Sequence, residues 1–211
     1  MCGRFSITTD KTILAQHFGV HSASAYAASY NVTPSSAIPV VRLHEHEKEL
    51  INCHWGLIPH WAKDRKFSPI NARAETLAEK PFFRSSFKNK RCLIPANGFY
   101  EWKAVNGGKQ PYYFRLEDNE ILAFAGLWDE WLQEDESITS CTIITTSAND
   151  IMAPIHNRMP VILDQENYNA WLTTGGRELL TPYAGRMVCY PVSKKVNNPK
   201  NNSAGLIQSV A

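Results

Sequence analysis

Residues 37–55 show the pattern that dominates the chain. In "AIPVVRL" the apolar Ile38, Val40, Val41 and Leu43 lead into the polar "HEHEK", and "ELINCHWGLIP" resumes the apolar run. Two such runs around a polar loop predict a β-hairpin. The arrangement recurs where "RCLIPANGFYEWKAV" and "QPYYFRLE" flank Asn106, Gly107, Gly108 and Lys109, a stronger hairpin signal because glycine accepts the backbone of a tight turn. "EILAFAGLWDEW", "SITSCTIITTSA", "MPVIL" and "MVCYPVS" read as further strands. Helical spacing is rarer. Ile13, Leu14, His17 and Phe18 recur at three to four residues between Thr9, the expected N-cap, and Gly19, the expected stop. "RAETLAEK" and "PFFRSSFK" are predicted helical, the second starting near Pro81, and Asp164 is placed to cap "QENYNAWL". Clustered strands with few strand–helix–strand alternations predict an α+β fold. The expected architecture is a single domain over residues 1–211, its mixed, largely antiparallel sheets curled into a barrel-like core with short peripheral helices.

Composition narrows the function classes. No apolar run approaches the roughly 20 residues of a membrane helix, and the first twenty residues lack a signal-peptide core, so a soluble cytoplasmic protein is expected. The five cysteines are widely spaced and include no C-x-x-C pair, which points to reduced thiols rather than a disulfide framework or a zinc knuckle. His44 and His46 alternate with acids in the "HEHEKE" loop but lack an evident third ligand, and neither a metal nor a cofactor is expected. No phosphate-binding glycine loop and no G-x-S-x-G elbow is present. A net charge of +2 does not by itself mark a nucleic-acid protein. The basic runs "KDRK" and "KNKR" are ordinarily solvated faces, and only their nearness to Trp61, Phe67, Phe82 and Phe83 suggests a groove for a single strand.

Four stretches carry polar residues that sit oddly in this plan. Cys2 follows the initiator methionine, so loss of Met1 would put a thiol and a free α-amine on adjacent carbons, although a cysteine there is ordinarily a small apolar residue. "SPINARAET" sets Asn71 and Arg73 on one side of an alternating stretch, as a ligand cradle or a plain Asx turn. Glu101 lies between Tyr100 and Trp102, where desolvation raises a carboxyl pKa toward general-acid use. His156 and Arg158 fall in a stiff stretch between Pro154 and Pro160. A cysteine peptidase acting on itself or another chain, with Cys2 as nucleophile, His156 as base and self-removal of Met1 as one use, fits these residues, and so does a non-covalent reader of modified DNA bases.

In order along the chain, "MCGRF", "YNVTP", "WGLIPHWA", "INARAET", "CLIPANGFYEW", "FAGLW", "IHNRMPVIL" and "GLIQSV" resemble the SRAP family, the SOS-response-associated peptidases and abasic-site-processing proteins. The resemblance spans nearly the whole chain. It implies one mixed α/β domain with a positively charged cleft, forming a covalent crosslink with abasic sites in single-stranded DNA. It places the catalytic residues on Cys2, Asn71, Glu101 and His156, backbone contacts on Arg4, Arg73 and Arg158, and a stacking or wedge residue on Trp61. The expected partner is single-stranded DNA carrying abasic sites, met by a monomer in the cytoplasm or on the nucleoid. The adjacent amine and thiol would first make a Schiff base with the sugar aldehyde and then close a five-membered thiazolidine.

Overall fold

The computed structural model describes residues 2–118, 120–133 and 135–210. Along the chain run β1 (Phe5–Ile7), α1 (Lys11–Phe18), β2 (Ser22–Ala23), β3 (Ser29–Val32), β4 (Ala37–His44), β5 (Glu47–Trp55), β6 (Asn71–Arg73) and α2 (Pro81–Asn89). Then follow β7 (Arg91–Ala96), β8 (Gly98–Val105), β9 (Gly108–Leu116), β10 (Leu122–Gln133), β11 (Glu136–Ser147), β12 (Arg158–Pro160), α3 (Tyr168–Thr173) and β13 (Met187–Pro191).

Two sheets are built from these strands. In the first, β11, β10, β7, β4 and β5 are neighbours in that order, and β5 pairs back onto β11 through His54–Ser140 and Trp55–Cys141, closing a five-strand ring. That closing pair is parallel, whereas the hairpins β4–β5 and β10–β11 are antiparallel, so the barrel is mixed as expected. The second sheet, β13-β9-β8-β1-β3, is antiparallel throughout. Phe5 of β1 joins the two: its ring meets Trp55 edge-on at 5.1 Å and Phe124 at 6.0 Å, all three fully buried. Burial of a phenylalanine side chain contributes about 2–3 kcal/mol, which fixes the N-terminal strand against the barrel.

Several local expectations fail for identifiable reasons. Asp10, not Thr9, caps α1, its carboxylate accepting from Thr12 N at 2.8 Å. "RCLIPANGFYEWKAV" is two strands in different sheets, broken at Asn97, whose amide accepts from Thr8 N at 2.7 Å and donates to Thr9 Oγ1 at 2.7 Å. "RAETLAEK" is no helix. Its first residue completes β6, and the rest is a series of turns, because Ala74 N is drawn to Thr145 O at 2.9 Å before a helical ladder can begin. Arg91 of "KNKR" is not on a solvated face: its guanidinium is buried and donates to the carbonyls of Phe87, Lys88, Trp171 and Thr173, tying together the ends of α2 and α3.

The asparagine-rich segment near the C-terminus is a structural wall. Asn31 on β3 is buried and donates through Nδ2 to the carbonyls of Asn201 at 2.8 Å, Asn198 at 3.1 Å and Val196 at 3.3 Å. Its Oδ1 accepts from Arg4 Nη1 at 2.7 Å, and Arg4 Nη1 also reaches Val196 O at 2.8 Å. Replacing Asn31 by Ala strands these groups, and a loss of about 2–3 kcal/mol is expected in urea unfolding. A loss below about 0.5 kcal/mol would mean that the segment is held elsewhere.

Candidate active site

The pairing of β1 with β8 brings Cys2 to the site. Phe5 faces Phe99, Ser6 faces Gly98, and Tyr100 N donates to Arg4 O at 3.0 Å. Continued toward the chain start, this antiparallel register carries Cys2 alongside Glu101 and Trp102. Gly98 leaves room for β9: a Cβ there would lie 2.4 Å from the Tyr113 ring and 2.5 Å from Phe114 O, and the Tyr113 hydroxyl passes to Ser6 Oγ at 2.7 Å. Cys2 is fully buried, and its carbonyl accepts from Asn71 Nδ2 at 2.9 Å. The other end of that amide, Asn71 Oδ1, is buried and has no hydrogen-bond partner among the described residues. Burial pushes the Cys2 thiol far above its ordinary pKa, and the negative charge of Glu101 adds to the effect.

Glu101 is 4% exposed, and desolvation raises its carboxyl pKa, partly offset by facing positive charge that includes His156. The expectation for this strand position is met. His156 closes a run of turns, its backbone N–H donating to Met152 O at 3.0 Å. Its Nδ1 lies 3.0 Å from Arg158 N and 3.2 Å from Arg158 O, so the backbone of Arg158 fixes the ring by that edge. A cleft of about 510 Å³ opens here, lined by Arg4, Glu101, Trp102, Lys109, His156 and Asn197. A larger cavity of about 730 Å³, lined by Arg84, Lys88 and Arg177 among others, contains none of the predicted site residues.

One strand sets the flank of the site. The last turn of β11 pairs in parallel with β6, Ile143 against Asn71 and Thr145 against Arg73, and antiparallel with β12, Ser147 against Arg158. Asn71, Arg73 and Arg158 are therefore placed by the same five residues. The cations differ in availability. Arg73 is exposed, whereas Arg158 is in a two-pronged ion pair with Glu75, and Arg4 Nη1 is committed to Asn31 and Val196.

Trp61 is not brought to this cleft. It is 52% exposed and belongs to an aromatic patch in which its ring meets Phe82 edge-on at 5.9 Å and Phe82 meets Phe67 at 5.2 Å. The loop beneath it is anchored on both sides. His60 N donates to Asp129 Oδ2 at 3.0 Å, and Trp131 Nε1 donates to Ala62 O at 2.7 Å. Burial alone would raise the Asp129 carboxyl, but the ammonium of Lys90 and the two donors of His60 outweigh it and hold it below its usual range. The exposure of Trp61 is thus imposed by the loop.

Sequence reasoning missed Trp102, Lys109 and Asn197 as lining residues. Trp102 Nε1 donates to Asn197 Oδ1 at 2.8 Å, so the distant segment that supplies Asn197 closes one side of the cleft. Its only sequence signal was the density of asparagines, a residue suited to satisfying irregular backbone.

Known proteins align with this chain over its whole length. It is 44% identical to the abasic site processing protein YoqW of Bacillus subtilis, over 99% of this chain and 100% of that one. It is 34% identical to the abasic site processing protein HMCES of Xenopus tropicalis, over 84% of this chain and 65% of that one. A crystal structure of a protein from Bacteroides thetaiotaomicron, 29% identical, matches with a TM-score of 0.89 over 100% of both chains. The family model described as SOS response associated peptidase matches residues 1–199, and the chain belongs to that SRAP family.

Proposed function

We propose that this chain is an abasic-site processing protein that captures the aldehyde of a base-free deoxyribose in single-stranded DNA through Cys2. The observation that carries the reading is the junction of Cys2, Asn71 and Glu101, with His156 on the same cleft. Hydrolysis of the Met1–Cys2 bond frees the α-amine. With an ordinary pKa of about 7.7–8.0, roughly a tenth to a sixth of such an α-amine is neutral near pH 7, and this fraction attacks the open-chain aldehyde. Loss of water gives an imine. The Cys2 sulfur then adds to the same carbon as the C=N double bond becomes single, the thiol proton ends on the nitrogen, and a thiazolidine closes with the DNA strand intact.

Each neighbour suits a part of that sequence. Asn71 Oδ1, a buried acceptor, is suited to receive an N–H of the freed amine and hold it toward the sugar. Glu101, its carboxyl raised by burial, can give a proton to the departing water and take one from the thiol. His156 is suited to act as a second proton donor or acceptor at the ring oxygen of the sugar as it opens. Arg4, Arg73 and Arg158 are proposed as phosphate contacts and Trp61 as a stacking surface outside the reaction cleft. The protein is read as a single-domain, cytoplasmic monomer that needs no cofactor; no helix among the described residues is long and apolar enough to cross a membrane.

A thiolate peptidase fits the site less well. Such a nucleophile needs its pKa lowered, as by a neighbouring imidazolium, whereas here burial and a carboxylate push the thiol the other way. The deciding experiment mixes the untagged protein with a single-stranded oligonucleotide bearing one abasic site and reads intact mass after denaturation. The expected product equals protein without Met1 plus DNA less one water. Free Cys2 with no such product would overturn the reading.

A further inference from the structure

Glu75 occupies the hydrogen-bonding fork that a DNA phosphate would need. Arg158 reaches Glu75 Oε1 through Nη1 and Oε2 through Nη2, the latter at 3.0 Å, while Nη2 also donates to Thr145 O at 2.6 Å. The guanidinium is nearly buried, at 14% exposure, whereas the carboxylate is half exposed, at 51%. Arg158 Nε is buried with no hydrogen-bond partner among the described residues, so the open side of this arginine is the side that Glu75 covers. Arg73 lies two residues before Glu75, and its positive charge also acts on the carboxylate. The hydrogen bond from Arg158 is the main reason that the Glu75 carboxyl is held below its usual range, which keeps it ionised near neutral pH.

A carboxylate and a phosphate present the same pair of acceptor oxygens to an arginine fork. A strand following Arg73 and Arg158 must therefore displace Glu75 or pass beside its negative charge. We propose that Glu75 is a selectivity residue, an internal anion that competes with DNA phosphate for Arg158 and Arg73 and so weakens the hold on undamaged strands. This inference rests on the DNA-binding reading above. Intact DNA, with no aldehyde to trap, is then released, whereas an abasic strand is retained by the bond to Cys2. The weak non-covalent step and the durable covalent step become complementary.

The test compares wild type with Glu75→Gln, using fluorescence anisotropy on an undamaged 15-nucleotide strand across a salt series. The variant is expected to bind about 5–10-fold more tightly at low salt, the effect of about one unit charge near a surface. Its plot of log K against log salt should steepen by about 0.7, as one more phosphate is neutralised on a single strand. Glu75→Asp, which keeps the charge, should stay within about twofold of wild type. Crosslinking of an abasic strand at saturating DNA should be unchanged in both variants. If Glu75→Gln does not fold, Glu75→Ala carries the same expectation. Unchanged affinity and slope, or weaker binding, would overturn the proposal and make Glu75 a prop for Arg158. Wild-type protein that fails to bind or crosslink an abasic strand removes the DNA reading as well. Normal wild-type crosslinking with an indifferent Glu75→Gln removes only the role of Glu75.

Discussion

Replacing Cys2 by Ala should convert a protector of abasic DNA into a protein that nicks it. The variant keeps an α-amine after loss of Met1, so it can still reach the imine, but no sulfur follows. An imine at the sugar carbon acidifies the neighbouring C–H and allows β-elimination, which breaks the strand. In the parent, thiazolidine closure removes the imine before that step. Cys2 is completely buried, yet it loses only one heavy atom in this substitution, a packing cost of about 1 kcal/mol that leaves the fold in place. Denaturing gels should therefore show the heat-stable adduct reduced to background and cleaved DNA increased. Borohydride, which reduces imines, should trap the variant and leave the wild-type adduct unaffected. A heat-stable Cys2→Ala adduct without borohydride would rule out ring closure through sulfur.

Glu101→Gln should act in opposite directions on rate and on stability. Removal of a general acid–base group slows the step it serves by about 10²–10⁴-fold, and single-turnover crosslinking should show a loss in that range. Stability moves the other way. Burial raises the native pKa of Glu101 above its unfolded value, so the folded protein holds this proton more tightly than the unfolded chain. Below the unfolded pKa both states are protonated and burial of the group carries no charge penalty. As pH rises through the native value, that stabilisation is lost, and above it the folded state must keep a carboxylate in a poorly solvated site. Glutamine has no such dependence. The variant should accordingly be more stable than wild type in urea at neutral pH, with the gap closing toward pH 4. Equal crosslinking rates would remove the proton-transfer role, and a less stable variant at pH 7 would show that the facing positive charges outweigh desolvation.

The strands were largely legible because alternation and turn chemistry act over a few residues. The β4–β5 and β8–β9 hairpins appear where the apolar runs and the Asn-Gly-Gly segment place them. What failed depended on distant partners. Thr145 decides that Ala74 joins a sheet rather than a helix, although "RAETLAEK" has good local helix formers. Asn97 separates two strands through bonds to Thr8 and Thr9, nearly ninety positions away. The site was legible in a different way. Cys2, Asn71, Glu101 and His156 each stood out locally, but only the resemblance joined them into one expected site, since no spacing rule links positions 2, 71, 101 and 156. Desolvation of Glu101 was readable from Tyr100 and Trp102, but the pairing of Arg158 with Glu75 and the wall at Asn197 were not, because charge and amide patterns do not reveal which partner a fold selects.

The wall also has a consequence for the order of events in synthesis. Arg4 and Asn31 are made well before the carbonyls of Val196, Asn198 and Asn201 that complete their bonds, about 165 residues or more later in the chain. The start of the chain therefore waits, while those residues are synthesised, without the segment that later walls its cleft. A separate trimming enzyme meets an unwalled N-terminus in that interval, whereas self-removal of Met1 draws on the finished site. The chamber around the reactive end is thus finished only after the strands of both sheets have been made.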